Sequence, residues 1–350
     1  MRPAHVHPGP PFAPTFAAVR NLLFSCLLIC FACAGRAQVS APAGPGFFAP
    51  ADTFRHDRFY TSLGIATTIY GTISIGLWEA WYQEFELTGF HSFDDWGEWE
   101  DMDKAGHLMT TYNEANSLFK GALWTGMDRR KAKWAAAGGA MLLQSTVEVM
   151  DGFSAEWGFS WADMGFNVAG AGLFVAQEEI WGEQRILFKL SSVRPDYPTT
   201  PIYSVDGQHQ TTLLARADAL YGASFGQLLI KDYNAQIIWA SINPRSFSRN
   251  SNSKLPPWLN LAVGYGAGNM YGGFTNEWTD DRTGAVYRLD PAQYPRTREF
   301  YLSLDIDFTR LGVKNHFWRT VLSSLNFVKF PAPVIGVDTR GQFFASPLYW

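Results

Sequence analysis

Cysteine is nearly absent: there are three, Cys26, Cys30 and Cys33, and all lie in one N-terminal apolar stretch. The remaining chain has no thiol for a disulfide, a Cys-ligated metal or a Cys nucleophile. Charge is also sparse, at 17% of 350 residues with a net charge of -4. A pI near 6.0 gives no general attraction to nucleic acid, so no nucleic-acid partner is expected. Familiar catalytic signatures are missing too. There is no Gly-x-Ser-x-Gly elbow, no His-Glu-x-x-His pair and no phosphate-binding P-loop. Gly264-Tyr265-Gly266-Ala267-Gly268 lacks the third glycine at dinucleotide-binding spacing and a following helix, so it reads as strand and turn.

What the chain does have is apolar and aromatic bulk. Its 47% hydrophobic content is ample for a core, and 14 Trp, 14 Tyr and 27 Phe are many for so few charges. Amphipathic aromatics concentrate where an apolar body meets water, which favours a membrane or envelope protein over a merely aromatic core.

The N-terminus supports that location. Arg20, the apolar run 21–34 and small residues ending at Ala37 describe a secretory signal peptide over 1–37, cut after Ala37. The alternative is a lipoprotein signal, for which Leu23-Phe24-Ser25-Cys26 is the best fit although it follows Arg20 closely. Residues 38–54, rich in Ala, Pro and Gly, read as a flexible leader. Phe59 to Trp78 carries no charge and has the length of a membrane-spanning helix, with Gly and Thr suited to close helix packing. A buried helix in a soluble bundle is the other reading.

Three further helices are expected, at about 104–126, 131–150 and 161–181, with Gly126 and Gly152 at their C-terminal ends. The acidic loop Phe90 to Asp101 between the first helix and these reads as a solvated face. Beyond residue 185, Leu213 to Leu220 reads as a short helix. Phe300 to Phe308 and Leu259 to Tyr265 alternate with the two-residue period of strands. Two such strands are too few to infer a membrane barrel. The expected fold class is therefore mainly α: a compact four-helix, membrane-associated bundle over 55–184, followed by an α+β region with some strands over 185–350 that packs on it.

The polar residues of the bundle fall in pairs at helix ends. Asp103, Lys104 and His107 open one helix, Glu148 and Asp151 close the next, and Ser160, Asp163 and Asn167 open the third. A short turn at 128–131 makes the first two antiparallel and brings these ends level. Ser160 and Asp163 have capping-box spacing, which alone can account for both. Negative charge at the C-terminal end of a helix, as at Glu148 and Asp151, is unfavourable and requires a partner. Asp103 can fix one nitrogen of His107 and leave the other for a proton or a metal. The site residues expected are thus Asp103, His107, Glu148, Asp151 and Asp163 as ligands of a divalent metal (Zn, Mn or Mg). His107, Glu148 and Asp151 are the acid–base candidates, and Lys104, Ser160 and Asn167 complete the binding set.

Taken in order, Asp103-Lys104-Ala105-Gly106-His107, Glu148-x-x-Asp151, Trp157-Gly158-Phe159-Ser160-Trp161-Ala162-Asp163 and Asn167-Val168-Ala169-Gly170-Ala171 resemble the YfiM-type envelope proteins, a family of unknown function. Lys231-Asp232-Tyr233-Asn234 and Trp258-Leu259-Asn260-Leu261 resemble its longer members. Shorter members carry an acidic residue where Asn167 stands. A fainter likeness is to VanZ-like membrane proteins, which share an Asp-Lys-x-x-His start. The resemblance implies a periplasm-facing, membrane-associated place in the cell envelope and no established reaction. The partner expected is a membrane lipid or another envelope component. The alternative function is a metal-assisted hydrolase acting on a lipid or cell-wall phosphate.

Overall fold

The computed structural model describes residues 46–77, 87–222, 227, 230–248 and 254–349. The expected signal peptide, residues 38–45 of the leader and Trp78 lie outside the described residues. Residues Phe47–Trp350 form one compact unit.

Helix α1 (His56–Leu77) leads to α2 (Met102–Trp124), α3 (Arg129–Asp151) and α4 (Trp161–Ile180). Local chemistry sets these ends. Gly126 stops α2 with φ 79°, a conformation that costs glycine little. The Asp128 carboxylate caps α3 by accepting from the Arg130 and Lys131 amides at 3.1 and 3.2 Å. Ser160 caps α4 by accepting from the Asp163 amide at 3.0 Å.

Packing of α2, α3 and α4 follows from small residues. Ala132, Ala136 and Ala140, one turn apart on α3, pack with Tyr112, Ala115 and Phe119 of α2 and Phe174 of α4. Contacts of His107 with Glu148, Glu114 with Gln144 and Leu118 with Gly139 run in opposite directions along α2 and α3, so these helices are antiparallel. Those of His107 with Asn167 and Phe119 with Phe174 run the same way, so α2 and α4 are parallel. At Gly170 an added Cβ would sit 2.3 Å from the Leu108 carbonyl oxygen, so the close approach of α4 to α2 depends on a glycine there.

The second half contributes β1 (Ile186–Ser192), β2 (Pro201–Tyr203), β3 (Gln210–Thr212), α5 (Leu213–Tyr221), β4 (Gln236–Ile242), the one-turn α6 (Pro244–Phe247), β5 (Leu259–Gly268), β6 (Glu277–Thr279), β7 (Val286–Arg288), β8 (Thr297–Ile306), α7 (His316–Ser324), β9 (Ala332–Asp338) and β10 (Phe343–Tyr349). Six of these strands form an antiparallel sheet ordered β1-β4-β5-β8-β9-β10. The alternating segments around Leu261 and Leu302 are neighbours in it, paired Leu259 with Ile306 through Gly268 with Thr297. The segment before β9 also bonds to β1, through Leu190 N to the Phe327 carbonyl and Lys329 N to the Leu190 carbonyl. One face of β1 and β4 packs on α2, where Leu190, Ile238 and Tyr265 meet Met102, Ala105 and Met109.

The fold is therefore not the mainly α, four-helix membrane bundle that the apolar periodicity predicts. Helices α2, α3 and α4 pack on one another, whereas α1 meets α2 only near its own start, where Arg58 donates to the Trp124 carbonyl and Ser62 faces Gly121. A six-stranded antiparallel sheet makes up much of the rest. Nor is Phe59 to Trp78 a membrane span: among the described residues, no helix is long and apolar enough to cross a membrane. Gly64, Thr67, Thr68, Gly71, Thr72 and Gly76 dilute its hydrophobicity.

Candidate functional site

The first turn of α2 meets the last turn of α3 and the first of α4, and there Lys104 is fully buried among carboxylates. Its Nζ lies 2.5 Å from Asp95 Oδ2, 2.9 Å from Asp163 Oδ1 and 3.2 Å from Asp103 Oδ2. Three carboxyl groups around one ammonium hold its proton far more firmly than usual, in spite of burial, with Asp103 and Asp163 the strongest contributors. Asp95 is held in turn by Ser160, whose hydroxyl donates to Oδ1 at 2.7 Å. Burial opposes ionisation of Asp95, but hydrogen bonds from Asp163, Lys104 and Ser160 outweigh it and keep its pKa low.

His107 stands one turn further along α2. Its Nδ1 is 3.1 Å from Asn167 Oδ1, which also accepts from the Thr111 hydroxyl at 2.8 Å. With the amide oxygen turned this way, Nδ1 carries the proton and donates it. The lone pair is then on Nε2, which faces Asp103 Oδ1 at 3.7 Å and Asp163 Oδ2 at 3.9 Å. Asp103, His107 and Asp163 each offer one ligating atom, and the three atoms lie within 4.8 Å of one another. Nitrogen and oxygen donors converging in this way suit Zn or Mn, and the amide behind Nδ1 is the outer support a ligating histidine requires.

Glu148 lies behind this group, with Oε1 3.5 Å from His107 Nδ1 and Oε2 accepting from the Ser160 amide at 3.3 Å. Burial, reinforced by the charges of Asp163 and Asp151, pushes its pKa from 4.5 to about 8. Burial and the charge of Asp103 likewise drive Asp163 upward. Glu98 is pushed from 4.5 to about 7, by burial and then by Asp103 and Asp95. A cavity of about 220 Å³ opens on these groups, lined by Glu98, Trp99, Asp103, His107, Asp151 and Tyr233 among others. The Tyr233 hydroxyl donates to Asp103 Oδ1 at 3.1 Å, so the half of the chain that carries the sheet also reaches the site.

A left-handed turn supports one wall of the cavity. Trp99, Glu100 and Asp101 have φ of 49°, 54° and 60°, costing roughly 1–2 kcal/mol each for residues with a Cβ. The surroundings hold it in place. Arg296 Nε is 2.7 Å from Glu100 Oε1, and Arg298 reaches Glu100 Oε2 at 3.0 Å and Asp101 Oδ2 at 2.7 Å. The Tyr265 hydroxyl donates to the Glu100 carbonyl. Strain held in this way from the sheet aims Glu98 and Trp99 at the cavity.

The structure therefore brings Asp103, Lys104, His107, Glu148, Ser160, Asp163 and Asn167 together, with Asp151 on the cavity wall. Glu148 and Asp163 both lie within 4 Å of the His107 ring. Ser160 is the helix cap that its spacing predicts, but Asp163 turns its carboxylate to Lys104 and His107 rather than back to the cap. Three site residues escape a reading of the pairs: Asp95, Glu98 and Tyr233. The acidic loop is not a solvated face at Asp95, which is only 5% exposed. The available signal was Lys104 itself, a lone lysine at the end of the acidic run from Asp94 to Asp103. Tyr233 carried no such signal.

Residues 92–178 match the model of a family described as "Predicted periplasmic lipoprotein (DUF2279)". The ordered motifs from Asp103 to Ala171 lie inside that match, and the envelope family they resemble is this one. The match supports an exported, periplasm-facing envelope protein of unassigned activity. No curated protein and no solved structure matches the chain.

Proposed function

We propose, from the predicted periplasmic lipoprotein family found over residues 92–178, that this exported envelope protein binds a divalent cation at the head of its helical half. Asp103, His107 and Asp163 are the ligands. One observation carries the reading: lone pairs of an imidazole nitrogen and two carboxylates point at a common volume, within 4.8 Å of one another, while the other imidazole nitrogen is held by Asn167. Such an arrangement is repulsive unless a proton or a cation lies between the donors. Burial first, and after it the neighbouring carboxylates, raises the pKa values of Glu98, Glu148 and Asp163.

A second reading, metal-assisted hydrolysis of a lipid or cell-wall phosphate, rests on Glu148. A carboxyl group that holds its proton to about pH 8 next to a cation site is equipped to act as a general acid. Here the cation would polarise the phosphoryl oxygen and Asp151 would sit at the cavity mouth.

The test is calorimetric titration of purified, chelator-treated protein with Zn²⁺ and with Mn²⁺, alongside His107→Ala and Asp163→Asn. The wild type should bind one equivalent, and each variant should lose at least tenfold in affinity, or about 1.4 kcal/mol. Absence of binding by the wild type to both ions, or wild-type affinity in both variants, rules the proposal out.

A further inference from the structure

The six-stranded sheet distributes polarity in the reverse of the usual way. On one face of β1, β4, β5 and β8 the buried positions include Lys189, Ser241, Asn260, Ser303 and Asp305. Lys189 Nζ pairs with Asp305 Oδ2 at 2.8 Å with both side chains fully buried, and the Ser241 hydroxyl donates to the same carboxylate oxygen at 2.6 Å. Lys329, also buried, lies 3.1 Å from the Ser303 hydroxyl. Trp239, Tyr301 and Phe344 fill this side over Gly264, Gly266 and Gly336, where a Cβ would fall among their rings.

The opposite face is covered by α2 at β1 and β4 and is apolar and open across β5, β8, β9 and β10. Leu261 and Val263 of β5, Phe300, Leu302 and Leu304 of β8, Ile335 of β9 and Phe343 of β10 are all exposed, Ile335 at 58%. Water-facing sheets put charges outside and leucines inside, because an ion is costly to desolvate and an apolar side chain is costly to hydrate. A sheet surrounded by hydrocarbon does the reverse.

We infer that the open face of β5, β8, β9 and β10 is a lipid-contacting surface that lies against the hydrocarbon of a bilayer. Charge complementarity supports this occupant. Among the described residues, the outward positions Leu259, Leu261 and Val263 of β5 and Phe300 to Ile306 of β8 carry no carboxylate or basic group, and further along β5 Tyr265 and Ala267 pack on α2. Arg298 marks one end of the band, bound to Glu100 and Asp101. Exposed Phe330, packed on Phe308, marks the other, where aromatic side chains suit a membrane interface. Length agrees as well. The outward apolar positions of β8, Phe300 to Ile306, cover about 20 Å of strand, against an apolar band of about 25 Å in membrane-embedded sheets. The inference stands apart from the cation site, whose three ligands lie outside this face.

Cysteine usage makes the test clean. In the full chain with Cys26, Cys30 and Cys33 changed to Ser, which removes any thiol a lipid anchor would use, a single Leu302→Cys is labelled with an environment-sensitive fluorophore. Vesicles of phosphatidylethanolamine and phosphatidylglycerol are then added. Emission from position 302 should shift to the blue and rise roughly twofold or more as water is excluded, and brominated acyl chains should quench it. A label at Thr283→Cys, on a remote exposed turn, should stay at its aqueous value. An unchanged signal at 302 overturns the inference. So does a blue shift without vesicles that grows with protein concentration, which would make the occupant a second copy of the chain. Leu302→Glu with Leu304→Glu, both at exposed positions, should abolish recovery of the same cysteine-free chain with floated vesicles, and undiminished recovery counts against the surface.

Discussion

Around the head of the bundle, Asp95, Glu98, Asp103, Glu148, Asp151 and Asp163 face Lys104 and His107, so negative charge is in excess on groups that are mostly buried. Protons can relieve that excess when no cation does. Glu148, raised from 4.5 to about 8, is the clearest case and gives a pH prediction. A carboxyl whose folded pKa lies above its unfolded one binds more protons when folded. Its stabilising effect is complete below about pH 4.5 and is lost as pH rises to about 8. Chelator-treated wild type should therefore lose stability over that window. Glu148→Gln, which keeps the neutral shape, should flatten the slope and exceed the wild type at pH 8. Urea unfolding at several pH values checks this, and an unaltered slope in the variant contradicts the assignment. At this scale the sequence was informative wherever a residue type was out of place. Glu148 at a helix C-terminus announced a partner, but Asp95 and Tyr233 are fixed by long-range packing that no local pattern records.

The helices hold the site in register through close backbone approach, and this leads to a prediction about one glycine. Asn167, which orients His107, lies less than one turn before Gly170 on α4, and Gly170 is where α4 touches the Leu108 carbonyl of α2. Gly170→Ala removes a helix-interior glycine, which alone would stabilise by up to about 1 kcal/mol. The 2.3 Å clash with backbone cannot be relieved by a rotamer change, so overpacking of about 1–3 kcal/mol should win. The variant should be less stable and bind a cation more weakly, as thermal unfolding and titration will show; a stabilised variant with full affinity would mean that the helices are free to separate. Element positions were largely legible here. The cap at Ser160 and the stop at Gly126 agree with their sequence signals, whereas Asp128, read as part of a turn, caps a helix that starts two residues earlier than expected. The left-handed turn at Trp99 to Asp101 was not, because three residues with Cβ atoms take that conformation only when Arg296, Arg298 and Tyr265 hold it from the sheet.

For the molecule as a whole, the alternation around Leu261 and Leu302 identified strands, yet it led to a mainly α assignment. The remaining strands of the sheet lack clean alternation. Leu190 and Ile238 face α2 while Lys189 and Ser241 are buried on the other side, so polar and apolar positions are both hidden and the period of two loses its contrast. α1 misled in the opposite sense, since freedom from charge over the length of a span is not the same as sufficient hydrophobicity. The sheet and bundle meet at the site, where Tyr233 bonds Asp103 and Arg298 holds the turn before α2, so cation binding should report on both halves.

In the proposed cation site His107 presents a bare Nε2 between Asp103 and Asp163. Nitrogen-15 NMR of histidine-labelled protein, titrated with Zn²⁺ after chelator treatment, observes it at the atom concerned. The expected spectrum shows a His107 tautomer protonated at Nδ1 before addition, with that proton kept and the Nε2 resonance displaced as one equivalent binds. A proton found on Nε2, with neither nitrogen responding to the metal, would mean that His107 simply donates to its carboxylate neighbours and that the cation site does not exist.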